Sequence, residues 1–291
     1  MKHVLELLSN PDNLPIVAII VLFPMIVVVM LIHGYKNDKA SKIEHRIEKL
    51  HTWPNLLYIE LIGALLTIIF LTVFSILVDA PLERIANLVS MPNPAKAPWY
   101  FVGLQELLVY FDPWIAGVFI PLTIIFGLAS IPYIDPNPSG NGCYTIKKRK
   151  FAIFLFLFGF SLWVILIFIG TFMRGPGWAW FWPWEEWDQA KAAITIPLKP
   201  LPSLLGIPNG ILSFIFGILV IIVWYFIWAI LIAKFIKSKR SEIWEKITRL
   251  QFFVVVFLTG SMFGIVFKIL LRLLFDVNYI LVVPWIQRFN I

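Results

Sequence analysis

Residues 79–112, DAPLERIANLVSMPNPAKAPWYFVGLQELLVYFD, join two strongly apolar runs, and their reading decides how the chain is organised. A connector of this length with so much apolar surface is usually functional or packed against a partner. It holds four prolines and an Ala-Pro-Trp-Tyr-Phe core at 97–101, followed by a helix-like run in which Gln105 and Glu106 sit among leucines. Pro98 suits the first turn of a helix, where its missing N–H has no partner to lose. From Trp99 a spacing of seven returns Glu106 to the same helical face. The stretch therefore predicts a short helix at the membrane edge carrying an indole and a carboxylate on one side.

Outward from this connector the chain is mostly apolar. Of 291 residues, 60% are hydrophobic and 14% charged, with mean hydropathy +0.86. Such a chain needs the bilayer as solvent. The net charge of +7 does not mark a nucleic-acid binder, because the basic residues lie in short loops between apolar runs rather than on one soluble face. One cysteine, Cys143, excludes an internal disulfide and a Cys-x-x-Cys-His haem attachment, and it reads as incidental. No Cys/His cluster has zinc or iron–sulfur spacing.

Six spans are expected, at about 14–32, 58–78, 113–133, 151–172, 211–233 and 252–274, each long enough to cross ~30 Å of hydrocarbon. The fold class is thus all-α, a polytopic transmembrane helical protein with short helices in the outer-side loops. The first run reads as a retained span rather than a signal peptide, and its Pro24 predicts a kink. Loops 34–57, 134–150 and 234–251 lie on one side and hold 15 of the 24 basic residues, including Lys147-Lys148-Arg149-Lys150. The positive-inside rule makes that side cytoplasmic, and puts both termini and the 79–112 connector outside. The expected setting is a bacterial cytoplasmic membrane.

Lys96-Ala97-Pro98-Trp99-Tyr100-Phe101 resembles the Lys-Pro-Glu-Trp-Tyr-Phe segment of the cytochrome b family, in its C-terminal half or subunit IV of the cytochrome b6f complex. Three more pieces agree in order and spacing. Trp53-Pro54-Asn55-Leu56-Leu57-Tyr58 looks like the start of that family's helix E. Asp79-Ala80-Pro81-Leu82 resembles its exit, and Ile131-Pro132-Tyr133-Ile134-Asp135 the end of helix F. The resemblance covers roughly residues 50–172. It divides the chain into 1–49, an additional span and cytoplasmic loop; 50–172, the three-span region; and 173–291, a Trp-rich outer loop and two additional spans.

The resemblance implies a subunit of a bacterial quinol:cytochrome c oxidoreductase that completes an outer-side quinol oxidation site and acts only within its complex. The quinol is menaquinol or ubiquinol, menaquinol by analogy. Haem b would be contacted but ligated by a partner, the cytochrome b N-terminal half. This chain's four histidines, His3, His33, His45 and His51, sit in loops and at span ends, and no span holds two. A Rieske iron–sulfur protein or c-type cytochrome subunit, lipids and a dimeric complex are the other implied partners.

Quinol oxidation needs apolar and aromatic walls and a group that takes the hydroxyl proton. Pro98, Trp99, Tyr100, Phe101, Leu104 and Gln105 are the expected quinol-binding residues, with packing the preferred reading for Trp99. The family's glutamate position is Pro98 here, so the proton acceptor passes to Glu106, about 80° around the helix and ~12 Å further along it. Glu106 otherwise reads as a helix-surface carboxylate at headgroup level, or one paired to a neighbouring subunit. Tyr100 and Asp79 are weaker candidates. Glu106→Gln is expected to slow quinol oxidation while leaving assembly intact.

Glu60, near the cytoplasmic start of the second span, is either a charge in a first helical turn or part of a cytoplasmic-side site. Lys268 and Arg272 are spaced i, i+4 near the outer end of the last span. They snorkel to headgroups, or contact an anionic lipid, a quinone carbonyl or a haem propionate. Five tryptophans at 178–187, beside Glu185, Glu186 and Asp188, form an interfacial belt or a docking surface for an electron-transfer partner. Two further classes remain open: a membrane anchor without a quinol site, and a transporter, which the scarcity of mid-span charges opposes.

Overall fold

The computed structural model describes residues 5, 8–9, 13–40, 51–79, 85, 92–135, 144–192, 197–239, 241–286 and 289–291. Among these the protein is helical without strands, apart from isolated bridges at Arg174–Trp180 and Lys199–Val277. Six helices are long and apolar enough to cross a membrane: Leu14–Lys39, Thr52–Leu77, Ile115–Ile134, Ile146–Met173, Ile211–Ser238 and Arg249–Phe275. We label their regular parts α1 (Leu14–Ala40), α2 (Leu57–Leu77), α4 (Ile120–Ile134), α5 (Ile146–Phe168), α6 (Ile211–Lys239) and α7 (Arg249–Phe275), with α3 (Trp99–Leu107) the short helix of the connector. His3, His45, Cys143, the loop basic residues Lys42, Arg46 and Lys49, and 80–84 and 86–91 of the connector lie outside the described residues.

Three spans run further than hydropathy alone indicates. α1 continues through Pro24 and past His33 to Ala40, α5 begins at Ile146, and α6 reaches Lys239. Polar capping explains the second case. The Asp38 carboxylate accepts the Ile146 and Lys147 N–H groups, each at 2.9 Å, and the Thr145 hydroxyl at 2.6 Å. A helix start leaves such N–H groups without partners and favours a negative charge beside them, so the basic run Lys147–Lys150 becomes helical.

The chain divides into two compact units. One comprises Leu5–Met91 and Asn141–Lys150, holding α1 and α2. Every residue of α2 is exposed, on all faces. A helix apolar all round is one built for lipid or for neighbouring helices.

The other unit comprises Met1–Val4, Pro92–Gly140 and Phe151–Ile291. In it α7 packs against α4 and α6. Side-chain donors on α6 stitch it to α7: Trp224 Nε1 to the Gly260 carbonyl at 3.0 Å, and Trp228 Nε1 to Thr259 Oγ1 at 2.7 Å. Tyr225 and Ser261 share a hydrogen bond of 2.7 Å. Hydrogen bonds between membrane helices contribute about 0.6 kcal/mol each on average, so they set register more than stability. α7 starts with a capping box, Thr248 Oγ1 accepting the Gln251 N–H while Gln251 Oε1 accepts the Thr248 N–H. It stops at Asp276, whose φ of 53° is left-handed.

The buried core lies where α3 turns into the third span, with Leu107, Tyr110, Phe111, Ile115, Ala116, Ile120 and Leu166 in one cluster. α3 approaches α5 closely through two glycines. A Cβ on Gly103 would lie 3.1 Å from Ile167 and 3.3 Å from Trp163, and one on Gly170 would strike Val102. Small residues at such contacts let backbones come together.

Candidate functional site

The connector closes on itself before α3 begins. Gln105 Oε1 accepts the Ala97 N–H at 2.8 Å, and its Nε2 donates to the Ala95 carbonyl at 2.9 Å. Pro98 is the residue just before the helix, one position earlier than expected, and its carbonyl accepts the Phe101 and Val102 N–H groups. This start turns Val102, Gly103, Glu106 and Leu107 inward and leaves Tyr100 and Phe101 45% and 53% exposed.

Glu106 has 0% exposure, so the helix-surface reading is overturned. Its partner is internal: Arg174, just past the end of α5. Arg174 Nε donates to Oε2 at 2.9 Å and Nη2 to Oε1 at 2.6 Å. Trp178 Nε1 adds a third donor to Oε2 at 3.0 Å, and the Tyr110 hydroxyl a fourth to Oε1 at 3.1 Å. A carboxylate offers about four acceptor positions, and all are taken. The bidentate arginine fork is the geometry of a strong, charge-assisted pair.

A tight turn builds the other half of this pair. A wide π-type turn, Ile169–Met173, ends the fourth span, and Gly177 and Trp178 follow with φ of 63° and 58°. Left-handed backbone at a tryptophan costs on the order of 1 kcal/mol, and here it aims the indole N–H at the carboxylate. The Gly177 N–H is anchored to Asn93 Oδ1 at 2.7 Å. Arg174 also donates to the Trp178 carbonyl at 3.1 Å and lies 5.4 Å from the Trp180 ring centre. Burial first, and the neighbouring Glu106 second, push the Tyr110 phenol up to about 12, so it stays a hydrogen donor through the physiological range.

A second carboxylate network adjoins the first. Asp112 accepts the Tyr279 hydroxyl at 2.6 Å and the Asn290 backbone and side-chain N–H groups, each at 2.9 Å. Lys268 is 1% exposed and donates to the Asn278 carbonyl, with its Nζ 5.7 Å from the Phe111 ring centre. The snorkelling expectation is therefore wrong for Lys268, which is turned into the protein by that carbonyl. Two cavities flank the pair of networks. An apolar one of about 320 Å³ lies between α5 and α7, walled by Leu162, Ile165, Leu166, Ile169, Val266, Ile269, Leu270 and Leu273, with Tyr110 and Trp180 also in its lining. A polar one of about 120 Å³ is lined by Tyr110, Phe111, Asp112, Arg272, Asn278 and Tyr279, among others.

Of the residues singled out from sequence, Glu106, Lys268 and Arg272 fall around these networks. Pro98, Trp99, Tyr100, Phe101, Leu104 and Gln105 line neither cavity. Leu104 packs on the core cluster instead. Glu60 and Asp79 are exposed in the other unit, Glu60 in the first turn of α2. His33 and His51 are exposed, and among the described residues no group of His, Cys, Asp or Glu side chains is arranged to hold a metal ion. The tryptophan run is divided: Trp178 and Trp180 serve the Glu106–Arg174 pair, Trp187 lies 5.2 Å under Lys96 Nζ, and Trp182 and Trp184 stack on each other in the open. Glu185 pairs with Lys191 at 2.6 Å, and Asp188 accepts the Ala190 N–H.

Arg174, Tyr110 and Asp112 are the residues sequence reasoning passed over. Tyr110 had a signal, being four residues after Glu106 on the same helical face. Arg174 had only its place, a lone arginine directly after an apolar span. No family model matches the chain, and no curated protein or solved structure is significantly similar to it.

Proposed function

We propose that this protein is a membrane subunit of a respiratory cytochrome bc-type complex, and that it forms one wall of an outer-side quinol oxidation site. One observation carries the reading: the apolar cavity of about 320 Å³ is lined in part by Tyr110, whose hydroxyl is joined to a buried carboxylate paired with Arg174. Its volume is within the usual ligand-pocket range of roughly 300–1,000 Å³. Leucine, isoleucine and indole walls suit a quinol ring, and the resemblance over residues 50–172 supports the class.

Oxidation of a quinol to a quinone releases two protons and two electrons. In this reading one quinol hydroxyl gives its proton to the phenol oxygen of Tyr110 as Tyr110 passes its own to Glu106, which also orients that phenol, and the second proton leaves to an acceptor on a partner chain. Glu106 does not touch the quinol itself, because its acceptor positions are filled. The electrons leave to haem b and to an iron–sulfur or c-type cytochrome centre, all carried by partner chains. Menaquinol is the preferred substrate and ubiquinol the alternative. The crowding of basic residues into loops 34–57, 134–150 and 234–251 supports an outer location for the site in a bacterial cytoplasmic membrane.

The test compares Tyr110→Phe and Ile165→Trp in native membranes; Ile165 is 53% exposed and lines the cavity, so the introduced indole can enter it without rebuilding the core. Quinol oxidation is expected to fall at least about tenfold in both, the range of one lost acid–base group, with the assembled complex still present. Unchanged turnover in both variants refutes the proposal. A second reading, a membrane anchor without a quinol site, is favoured by the four donors that saturate Glu106 and by the outward turn of Tyr100 and Phe101. It predicts normal turnover in both.

A further inference from the structure

The two carboxylate networks leave one cation over. Arg174 is paired with Glu106, and Lys268 is held by the Asn278 carbonyl. Asp112 is occupied by Tyr279 and by both N–H groups of Asn290. Arg272, half-buried on the last turn of α7, makes no ion pair and no hydrogen bond to the described residues, feels the Glu106 charge only at longer range, and lines the polar cavity of about 120 Å³. Leaving a partly desolvated guanidinium uncompensated costs free energy, and a planar fork with five donors fits the oxygens of a phosphate.

We propose that this cavity binds the phosphate of an anionic phospholipid. Three features choose a lipid over a soluble anion. Arg272 is at the end of a span, the depth at which phosphate groups lie. The same helix end presents Leu270, Leu273 and Leu274 to the bilayer, 46%, 61% and 68% exposed, where acyl chains would run. Phe111, Leu108 and Leu198 line the cavity beside the arginine, a half-apolar wall suited to the glycerol backbone. The acceptor Asp112 lines it too, but its oxygens are already taken by three donors, and the Lys268 charge acts on it. The proposal does not rest on the quinol reading, since Arg272 lines only the polar cavity, although Tyr110 lines both and Leu270 and Leu273 also wall the apolar one.

The test counts phospholipids retained by the purified full chain, in its complex where one is isolated, by native mass spectrometry. Phosphatidylglycerol, phosphatidylcholine and inorganic phosphate are titrated separately. The wild type is expected to retain phosphatidylglycerol about tenfold better than phosphatidylcholine, the factor worth ~1.4 kcal/mol. Arg272→Gln is expected to lose that preference, Arg272→Lys to keep part of it, and Lys234→Gln at the opposite end of α6 to keep all of it. Equal retention of the two lipids by the wild type overturns the proposal, whether or not the variants fold. Displacement of phosphatidylglycerol by millimolar inorganic phosphate assigns the site to a free anion and overturns it as well. An undiminished preference in Arg272→Gln does the same.

Discussion

At the residue scale the protein turns on a carboxylate that is invisible from outside. Removing one member of a buried ion pair strands the other, at a cost of about 3–5 kcal/mol, while replacing both by apolar groups of similar size is often neutral. Glu106→Gln is therefore expected to lower the melting temperature in detergent sharply, and Glu106→Leu combined with Arg174→Met to recover most of the loss. This revises the sequence-based expectation that Glu106→Gln leaves assembly intact. Lys96 gives a second prediction. Burial lowers it from the usual 10.5 to about 8, with its Nζ on the Thr171 carbonyl at 2.5 Å. Between those values the unfolded chain holds a proton that the folded one gives up, so the folded state gains stability as pH rises through that window. The wild type is expected to gain on Lys96→Met when melting is followed from pH 7 to pH 10, and a constant difference would refute this.

At the scale of elements, α3 depends on two missing side chains. Gly170→Val would place methyl groups where Val102 sits, and overpacking of this kind costs about 1–3 kcal/mol. The expected outcome is an α3 lifted from the end of the fourth span, seen as faster proteolysis of residues 92–107. The sequence displayed these elements unevenly. Span positions were legible, because an apolar run of about 20 residues is what a bilayer crossing requires and little else does. The extra turns of α1 and α5 were not, because Asp38 and the N–H groups it caps are 108 and 109 residues apart. The orientation of α3 was half legible: periodicity put Trp99 and Glu106 on one face, but could not say that this face looks inward. That depends on Arg174, which lies 68 residues away.

At the scale of the whole molecule, the charge pattern yields an outcome that needs no partner. Replacing Cys143 by Ser and introducing single cysteines at Lys148 and Trp184 is expected to give opposite labelling by a membrane-impermeant maleimide. Trp184 should react from outside in intact cells, and Lys148 only after the membrane is opened. Labelling of both from one side would reverse or break the assigned topology. The apolar connector and the basic loops were enough to argue this from sequence. The polar cluster was not, because Glu106, Arg174, Asp112 and Asn290 come together only through the fold.

The Glu106–Arg174 pair also bears on biogenesis. The acidic partner leaves the ribosome before the basic one, and two complete hydrophobic segments, Ile115–Ile134 and Ile146–Met173, are synthesised between them. During that interval the nascent chain carries an unneutralised acid beside the lipid, which only insertion of the fourth segment can relieve. A chain cut short before Arg174 would therefore be a substrate for quality control rather than a usable fragment.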